Sequence, residues 1–139
     1  MDGVYYDGKG NLLGIDTEEE DVMTDCAWSD VVEPDINELT ELIHENAKDH
    51  GWWDEERTFG EIVALCHSEL SEALEAYRNN EPMVWINDGK PDGIAVEMCD
   101  CIIRILDWCG KEDIDVAETI MLKHMYNTTR PYKHGGKVI

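Results

Sequence analysis

Apolar residues recur with the period of an α-helix in four stretches of this chain. The first starts at Pro34, which suits a first helical turn, and ends at Gly51, which suits a left-handed C-terminal cap. Thr58 and Glu61 have the spacing of a capping box at the start of the second, and Gly110 is expected to close the third. The predicted helices cover, in chain order, about residues 34–50, 59–79, 93–109 and from about 112 onward. The pattern therefore predicts an all-α fold with four helices.

Two stretches lack the helical period. Near the N-terminus, VYYDGKGNLLGI predicts a short β-hairpin whose turn is formed by residues 7–10. Between the second and third helices, residues 79–92 contain two prolines and three asparagines, so we expect a loop with residues 84–86 as its apolar anchor. Residues 1–33 hold ten acidic residues and one lysine. We therefore predict an acidic N-terminal arm over 1–33 and a helical domain over 34–139.

One glutamate of the second predicted helix falls within an apolar sector of its helical wheel. The main apolar stripe consists of Phe59, Val63, Cys66, Leu70, Leu74 and Tyr77. On the flank that widens this stripe, Glu69 falls between Ile62 and Ala76. Glu72 falls at the outer edge of the same flank. Since a solvated glutamate does not need such a position, we expect Glu69 to face an internal site.

The third predicted helix is apolar nearly all round. Its four polar residues share a sector of roughly 80° and are Glu97, Asp100, Arg104 and Asp107. A helix that is apolar on every other side is expected to be buried on every other side. A chain of 139 residues can bury this helix most easily if a second subunit covers part of its apolar surface. The pattern therefore predicts a polar stripe that faces an internal site, and a homodimer at least.

Two acidic pairs stand at i, i+3 spacing, Glu69 with Glu72 and Glu97 with Asp100. On a helix this spacing puts both carboxylates of a pair on one side. At about 4 Å and an effective dielectric constant near 20, one contact between like charges costs roughly 4 kcal/mol. Four such groups therefore need protons, cationic side chains or a divalent metal. Because Mg²⁺ prefers oxygen ligands, we predict a magnesium site.

The charge of the chain reverses near its C-terminus. The formal net charge is −21, yet no acidic residue follows Glu118. Three basic residues and an asparagine there are predicted to bind phosphate, and they are Lys123, Asn127, Arg130 and Lys133. Such a strongly acidic chain is not expected to bind nucleic acid polymers, since that requires Lys and Arg along the backbone. A nucleoside polyphosphate held through metal ions fits the charge pattern.

Cysteine usage and hydropathy indicate the compartment. The chain has five cysteines and no CxxC pair, which argues for a reducing, cytoplasmic setting and against a zinc ribbon. The N-terminus is acidic and has no apolar core of a signal peptide. No run of 18 apolar residues occurs, so no membrane span is expected.

Three segments together resemble the MazG-like all-α nucleoside triphosphate pyrophosphohydrolases. They are ELIHENAKDHGWWDEERTFGEIVALCHSELSEALEAYR, the ExxE and ExxD pairs separated by 24 residues, and KHMYNTTRPYKHGGKVI. The match covers roughly residues 36–139 and leaves out the N-terminal arm. The resemblance implies a four-helix core, a homodimer or a dimer of dimers, and a Mg²⁺-dependent hydrolase, with Mn²⁺ as a substitute. The implied reaction converts a nucleoside triphosphate and water to the monophosphate and pyrophosphate in nucleotide-pool control.

The resemblance also implies roles for individual residues. The implied metal ligands are Glu69, Glu72, Glu97 and Asp100, with Glu69 or Glu72 as the acceptor of the proton from water. Lys123, Asn127 and Arg130 match the phosphate side. The implied base and sugar pocket consists of His44, Asn46, Trp52 and Trp53. Arg104 and Asp107 are expected either to support the metal ligands or to form a structural ion pair.

Two other readings of the residues stay open. A non-catalytic acidic module that binds a basic partner, for example by mimicking a nucleic acid, would carry its acidic residues on the outer surface. A relative that binds nucleotides without cleaving them is the other form of this non-enzymatic alternative. A di-iron carboxylate bundle needs ExxH motifs on two helices, and only Glu41 with His44 has that spacing. Pyrophosphate release would distinguish an enzyme from a non-catalytic protein, and the iron content of the purified protein would test the di-iron alternative.

Overall fold

The structure is a computed structural model that describes residues 33–132 and the backbone of two N-terminal strands. Its elements in chain order are β1 (Val4–Tyr6), β2 (Leu12–Ile15), α1 (Ile36–Asp49), α2 (Phe59–Arg78), β3 (Trp85–Asn87), β4 (Lys90–Asp92), α3 (Ile94–Lys111) and α4 (Val116–Thr128). The described residues are mostly helical, which confirms the predicted class. None of the helices among them has the length and apolarity that a membrane crossing requires.

The N-terminal hairpin is present as predicted. β1 and β2 pair antiparallel, with Val4 opposite Ile15 and a register irregularity between Tyr5 and Tyr6. The predicted turn at residues 7–10 and the rest of the acidic arm lie outside the described residues. The predicted boundary between residues 33 and 34 stays a prediction.

Side-chain caps define the helix starts. At α2, Thr58 and Glu61 form the predicted capping box. At α1, Asp35 and Glu38 form a second one that the sequence analysis did not identify. After α1, Gly51 adopts φ +76°, as expected of a left-handed C-terminal residue. Because each box satisfies amide groups that a helix leaves unpaired, both starts are sharply defined.

α4 begins later than predicted. Asp113 has φ +54°, outside the helical range, so no helix can run through it. The N-cap is Asp115, whose carboxylate accepts from the amide of Glu118. Asn37 of α1 joins this cap, since its amide donates to Asp115 Oδ1 at 3.0 Å and its Oδ1 accepts from the amide of Ala117 at 3.1 Å. The cap therefore ties α1 to α4.

The prediction that Gly110 closes α3 is wrong. α3 continues to Lys111, and Gly110 lies within its last turn. An added Cβ at this position would come within 2.6 Å of His44 Cβ and 3.3 Å of the Thr40 carbonyl oxygen. The glycine is therefore needed for the close approach of α1 rather than for a helix end.

The loop predicted over residues 79–92 is in part a β-hairpin. β3 pairs with β4, with Trp85 opposite Asp92 and Asn87 opposite Lys90. The two turn residues, Asp88 and Gly89, have φ values of +48° and +81°. Positive φ at both positions is the requirement of a type I′ turn, which Asp-Gly favours. The Asp-Gly dipeptide therefore indicates a hairpin, although the neighbouring prolines and asparagines led us to predict a loop.

The described residues fall into two compact units. The first contains the N-terminal strands and Glu56–Ile105, and the second contains Pro34–Glu55 and the part of the chain from Leu106. In the first, the buried side of α2 carries Ile62, Ala73 and Ala76. In the second, the buried residues Leu106, Cys109 and Val116 pack with the partly buried Ile36, Ile43, Trp108 and Ile114. Because α3 runs through the boundary, it contributes to both units.

The main apolar stripe of α2 is exposed, and the flank that carries Glu69 is buried. Leu70, Leu74 and Tyr77 are 42%, 47% and 65% exposed. The exposed apolar residues of α3 include Met98, Ile102, Ile103 and Ile105. Both α2 and α3 thus carry exposed apolar side chains.

These exposed faces lead us to predict a dimer at least. Burial of apolar surface stabilises association by about 25 cal/mol per Å², so faces of this kind favour a second copy. Multi-angle light scattering at low micromolar concentration should give twice the chain mass or more, and Leu74→Glu should shift it toward the monomer. A monomeric mass for the unaltered protein would contradict the prediction.

Candidate metal centre

Three of the four predicted metal ligands converge. Glu69 of α2 and Glu97 and Asp100 of α3 each offer a carboxylate oxygen, and these atoms all lie within 4.8 Å of one another. Glu69 and Glu97 are each 8% exposed, and Asp100 is half-buried. The i, i+3 spacing on α3 and the flank position on α2 place them together, as expected from the helical wheels.

Glu72 lies at the margin of this carboxylate cluster, which we define as Glu69, Glu97 and Asp100. It is exposed, and its Oε1 accepts a weak hydrogen bond from the Ser68 hydroxyl at 3.4 Å. It is nevertheless close enough to raise the pKa of Glu97. Its exposure matches its predicted place at the outer edge of the flank. Of the four predicted ligands, Glu72 is thus the one with most freedom to move.

The environment opposes ionisation of the cluster. Burial raises the pKa of Glu97, and the nearby carboxylates of Glu72 and Asp100 raise it further. Burial also raises the pKa of Asp100, and the Glu69 carboxylate adds to this while Arg104 partly offsets it. Like charges and partial desolvation both favour the neutral form of a carboxyl group. The arrangement is therefore one that a cation would relieve.

Arg104 and Asp107, which were predicted to act together, contact different groups. Arg104 Nε donates to Glu69 Oε1 at 2.9 Å, so this guanidinium lies beside a predicted metal ligand. Asp107 belongs to the second compact unit and accepts hydrogen bonds there from His44 and Trp53. Arg104 therefore contacts the carboxylate cluster, whereas Asp107 orients the rings of His44 and Trp53.

Lys90 is a cation near the cluster that the sequence analysis missed. It lies on β4 and lowers the pKa of both Glu97 and Asp100. Its position depends on the type I′ turn, because the turn brings β4 back antiparallel to β3. Recognition of the Asp-Gly signal would have placed a lysine four residues before the start of α3, but not beside the cluster.

A cavity of about 400 Å³ adjoins the cluster. It shares Glu72 and Glu97 with the predicted ligand set, and β3 supplies the half-buried Trp85 to its wall. The remaining lining residues are Glu75, Ala76, Asn79, Glu81, Asn87 and Asp92. Trp85 Nε1 is buried and has no hydrogen-bond partner within the described residues. Of the predicted anchor, Trp85 thus lines this cavity, while Val84 and Ile86 are exposed.

The predicted phosphate-binding residues lie in the second compact unit. Lys123 and Asn127 are exposed on α4, and the Lys123 ammonium lies 4.9 Å from the centre of the Tyr126 ring. α4 ends at Thr128, so the exposed Arg130 follows the helix instead of extending its face. Lys133 lies outside the described residues. Their binding of phosphate stays a prediction.

Two of the four predicted base-pocket residues contact each other. The rings of His44 and Trp53 meet edge to face, with centroids 5.8 Å apart and an interplanar angle of 63°. His44 Nδ1 and Trp53 Nε1 both donate a hydrogen bond to Asp107 Oδ1, each at 2.8 Å. Trp52 is half-buried, and Asn46 is exposed and uses its backbone carbonyl to accept from His50. The shared contact with Asp107 joins His44 and Trp53 into one cluster.

Comparisons with protein-family models, with curated proteins and with solved structures found no match. The resemblance to MazG-like pyrophosphohydrolases therefore stays an expectation from the sequence. What the described residues offer directly is a group of three carboxylates, two of them buried, and, in the other unit, two aromatic rings held by a buried aspartate.

Proposed function

We propose that this protein is a Mg²⁺-dependent nucleoside triphosphate pyrophosphohydrolase of the MazG-like kind. The observation that carries the proposal is the convergence of Glu69, Glu97 and Asp100 within 4.8 Å. Two of the three are buried, and isolated buried carboxylates are costly unless a partner neutralises them. Arg104 supplies one positive charge to Glu69, which leaves the cluster with an excess of negative charge.

The donor set fits magnesium. All three converging side chains offer carboxylate oxygens, the ligand type that Mg²⁺ and Mn²⁺ prefer over nitrogen or sulfur. Glu72 is placed to add a fourth oxygen by a change of side-chain rotamer, since it is exposed and near Glu97. The raised pKa values of Glu97 and Asp100 have the sign expected of an acidic site that is complete only with a cation.

The proposed reaction is attack of water on the α-phosphorus of a nucleoside triphosphate, with cleavage of the α–β anhydride bond and release of pyrophosphate. A bound divalent cation supplies charge neutralisation and polarises the phosphate oxygens. Glu72 is the better of the two predicted proton acceptors, because Glu69 already accepts from Arg104 while Glu72 is exposed. In this proposal Lys123, Asn127 and Arg130 bind phosphate oxygens, and Lys133 adds a further positive charge.

The described residues bear on the two alternatives. An acidic interaction module needs its carboxylates on the surface, and Glu69 and Glu97 are instead buried. A di-iron bundle needs histidine ligands, and the cluster found among the described residues contains only carboxylates. His44, from the ExxH spacing with Glu41, directs its Nδ1 to Asp107. The observations therefore favour the hydrolase, which we propose to act as a cytoplasmic homodimer or dimer of dimers.

A nucleotide panel tests the proposal. The protein is incubated with canonical ribo- and deoxyribonucleoside triphosphates in Mg²⁺, in Mn²⁺ or in EDTA, and pyrophosphate and orthophosphate are measured separately. We expect pyrophosphate with the matching monophosphate in Mg²⁺, a lower or similar rate in Mn²⁺, and none in EDTA. Orthophosphate as the primary product, or no product from any nucleotide, would contradict the proposed function.

A further inference from the structure

One face of the β3–β4 hairpin forms part of the wall of the cavity beside the carboxylate cluster. Side chains two positions apart on a strand lie on the same face, and cross-strand partners share that face. Trp85 stands opposite Asp92. The next pair on the same face is Asn87 with Lys90. Three of these four side chains, all but Lys90, line the cavity. The hairpin and the cavity both belong to the first compact unit, so the wall and the carboxylates are positioned by the same unit.

Trp85 and Asp92 each keep one hydrogen-bonding atom unused. Trp85 Nε1 is buried, and no atom of the described residues accepts its hydrogen. Asp92 Oδ1 accepts from the Gly93 amide at 2.8 Å, whereas Asp92 Oδ2 has no hydrogen-bond partner within residues 33–132. A buried N–H without an acceptor is unfavourable, and such a group in a folded protein calls for an explanation. A hydroxyl group fits both atoms, because it accepts through its oxygen and donates through its hydrogen.

The charge of the cavity decides which part of a nucleotide fits it. The lining carries five carboxylates and no basic side chain. Those carboxylates belong to Glu72, Glu75, Glu81, Asp92 and Glu97. A phosphate group is repelled by such a wall, whereas a neutral group with hydroxyls can donate hydrogen bonds to it. The volume of about 400 Å³ lies in the range of small-molecule sites. The cavity therefore suits the sugar of a nucleotide better than its phosphates.

We propose that this cavity binds the ribose of the nucleotide, with the 2′-hydroxyl accepting from Trp85 Nε1 and donating to Asp92 Oδ2. The inference rests on the proposed function and deepens it, since it makes ribonucleoside triphosphates the substrate class. Glu72 and Glu97 belong both to the cavity wall and to the predicted metal ligands, so a triphosphate bound there through the metal has its sugar next to the cavity. The assignment departs from the family resemblance, which implies residues of the second unit for the sugar.

The decisive nucleotides differ by the 2′-hydroxyl alone. A 2′-deoxyribose leaves the indole N–H and the carboxylate oxygen unpaired, which costs affinity. Each ribonucleoside triphosphate is therefore compared with its 2′-deoxy form, and kcat/KM should be about 10- to 100-fold higher for the ribonucleotide. The dissociation constants of the uncleavable α,β-methylene analogues, measured by calorimetry in Mg²⁺, should differ by the same factor. The two ratios should agree because the contact lies away from the reacting phosphorus.

Two variants remove one partner each. Trp85→Phe deletes the indole N–H and keeps an aromatic ring. Asp92→Asn keeps an oxygen for the Gly93 amide and replaces the other oxygen by an NH₂ donor. In both variants the preference for the ribonucleotide should be at least about threefold smaller. Trp108→Phe and Asp88→Asn are the matched controls, because neither residue lines the cavity, and they should keep the full preference.

The indole resonance gives a readout that does not require cleavage. The ¹H–¹⁵N signal of Trp85 is identified as the one absent from the spectrum of Trp85→Phe. A hydrogen bond from the indole N–H to a hydroxyl oxygen should move the proton signal downfield when the α,β-methylene ribonucleotide binds. The 2′-deoxy analogue should leave the signal near its position in the free protein. A merely structural role of Trp85 predicts the same signal in both complexes.

Three results would overturn the inference. They are equal or tighter binding of the 2′-deoxy analogue, an unchanged preference in the folded variants, or an indole signal that does not respond to the ribonucleotide. If Trp85→Phe fails to fold, Asp92→Asn and the ratio of dissociation constants decide. If no nucleotide is hydrolysed but the analogues bind with a ribose preference, the proposed function fails and the sugar site stands. If both forms are hydrolysed at equal rates, the sugar site fails and the proposed function stands.

Discussion

Replacement of Glu97 by Gln is expected to lower pyrophosphate release by at least about 100-fold, since loss of a direct ligand should exceed the 10- to 100-fold cost of losing an outer contact. The same change is expected to stabilise the metal-free protein. Glu97 is buried among like charges, and this raises its pKa. An amide of nearly equal size keeps the packing and removes the repulsion. Activity and stability should thus move in opposite directions.

Two measurements and one control variant test this pair of effects. Steady-state pyrophosphate release in Mg²⁺ gives the loss of activity, and thermal unfolding in EDTA gives the gain in stability. Glu45→Gln is the matched control, because Glu45 is exposed on α1 and lies outside the carboxylate cluster. It should change neither quantity. A lower melting temperature of Glu97→Gln in EDTA, or activity near that of the control, would falsify the assignment of Glu97.

The metal-free protein should become more stable as the pH falls below neutrality, because of the raised pKa values of Glu97 and Asp100. Glu97 and Asp100 have raised pKa values in the folded state, so the folded protein binds more protons than the unfolded chain just above the ordinary carboxyl range. Their destabilising effect is present at neutral pH and disappears as the pH falls through the folded pKa values. We expect the melting temperature in EDTA to rise as the pH falls from neutral toward the ordinary carboxyl range.

The helix caps oppose this trend at lower pH. Hydrogen bonds donated by the amide and hydroxyl of Thr58 lower the pKa of Glu61, and bonds donated by the Glu118 amide and by Asn37 lower that of Asp115. Stability from these groups is present above their ordinary values and is lost only as the pH falls through the lowered ones. The melting temperature should therefore pass through a maximum on the acid side of neutrality. In Glu97→Gln, the melting temperature should change less between neutral pH and the pH of that maximum. A change as large as in the unaltered protein would exclude Glu97 as its source.

Replacement of Gly110 by Ala is expected to destabilise the protein by about 1–3 kcal/mol, the usual cost of overpacking. An added Cβ would lie 2.6 Å from His44 Cβ and 3.0 Å from its Cγ, and these atoms are not the mobile end of the side chain. Helix propensity alone would instead favour alanine over glycine by roughly 1 kcal/mol. We expect the steric effect to exceed this gain, because relief requires α1 to move away from the last turn of α3.

Gly60 supplies the matched control for this second prediction. It lies in the first turn of α2, it is exposed, and an added Cβ would meet nothing closer than the Thr58 hydroxyl oxygen at 3.9 Å. Gly60→Ala should therefore be neutral or slightly stabilising in urea unfolding. Equal stability of the two alanine variants would show that the contact at Gly110 can relax without cost.

Local chemistry was predicted well where the interacting residues are close in sequence. The capping box of Thr58 and Glu61 depends on a four-residue window, and it is present as predicted. The burial of Glu69 on the flank of α2 also followed from the helical wheel, because its neighbours at helical spacing are apolar. The i, i+3 spacing of Glu97 and Asp100 put their carboxylates on one side of α3 in the same way.

Prediction failed where a choice depended on distant residues. Gly110 has the usual features of a helix end, and only its contact with His44 explains why the helix continues through it. The sequence also does not say which apolar sector of α2 will be covered: the flank with Ile62, Ala73 and Ala76 is buried, and the main stripe is exposed. The hairpin of β3 and β4 was missed for a different reason, because its Asp-Gly turn signal lies among prolines that indicate a loop.

The four helices, the capping box of α2 and the two acidic pairs follow from the sequence alone, since these depend on backbone hydrogen bonds and spacings within one or two turns. Tertiary structure decided which carboxylates meet: Glu69, Glu97 and Asp100 converge, while Glu72 stays at the exposed margin. It also separated Arg104, which contacts Glu69, from Asp107, which holds His44 and Trp53. The physical reason is that a helical wheel gives the direction of a side chain, whereas its partner depends on where another helix lies.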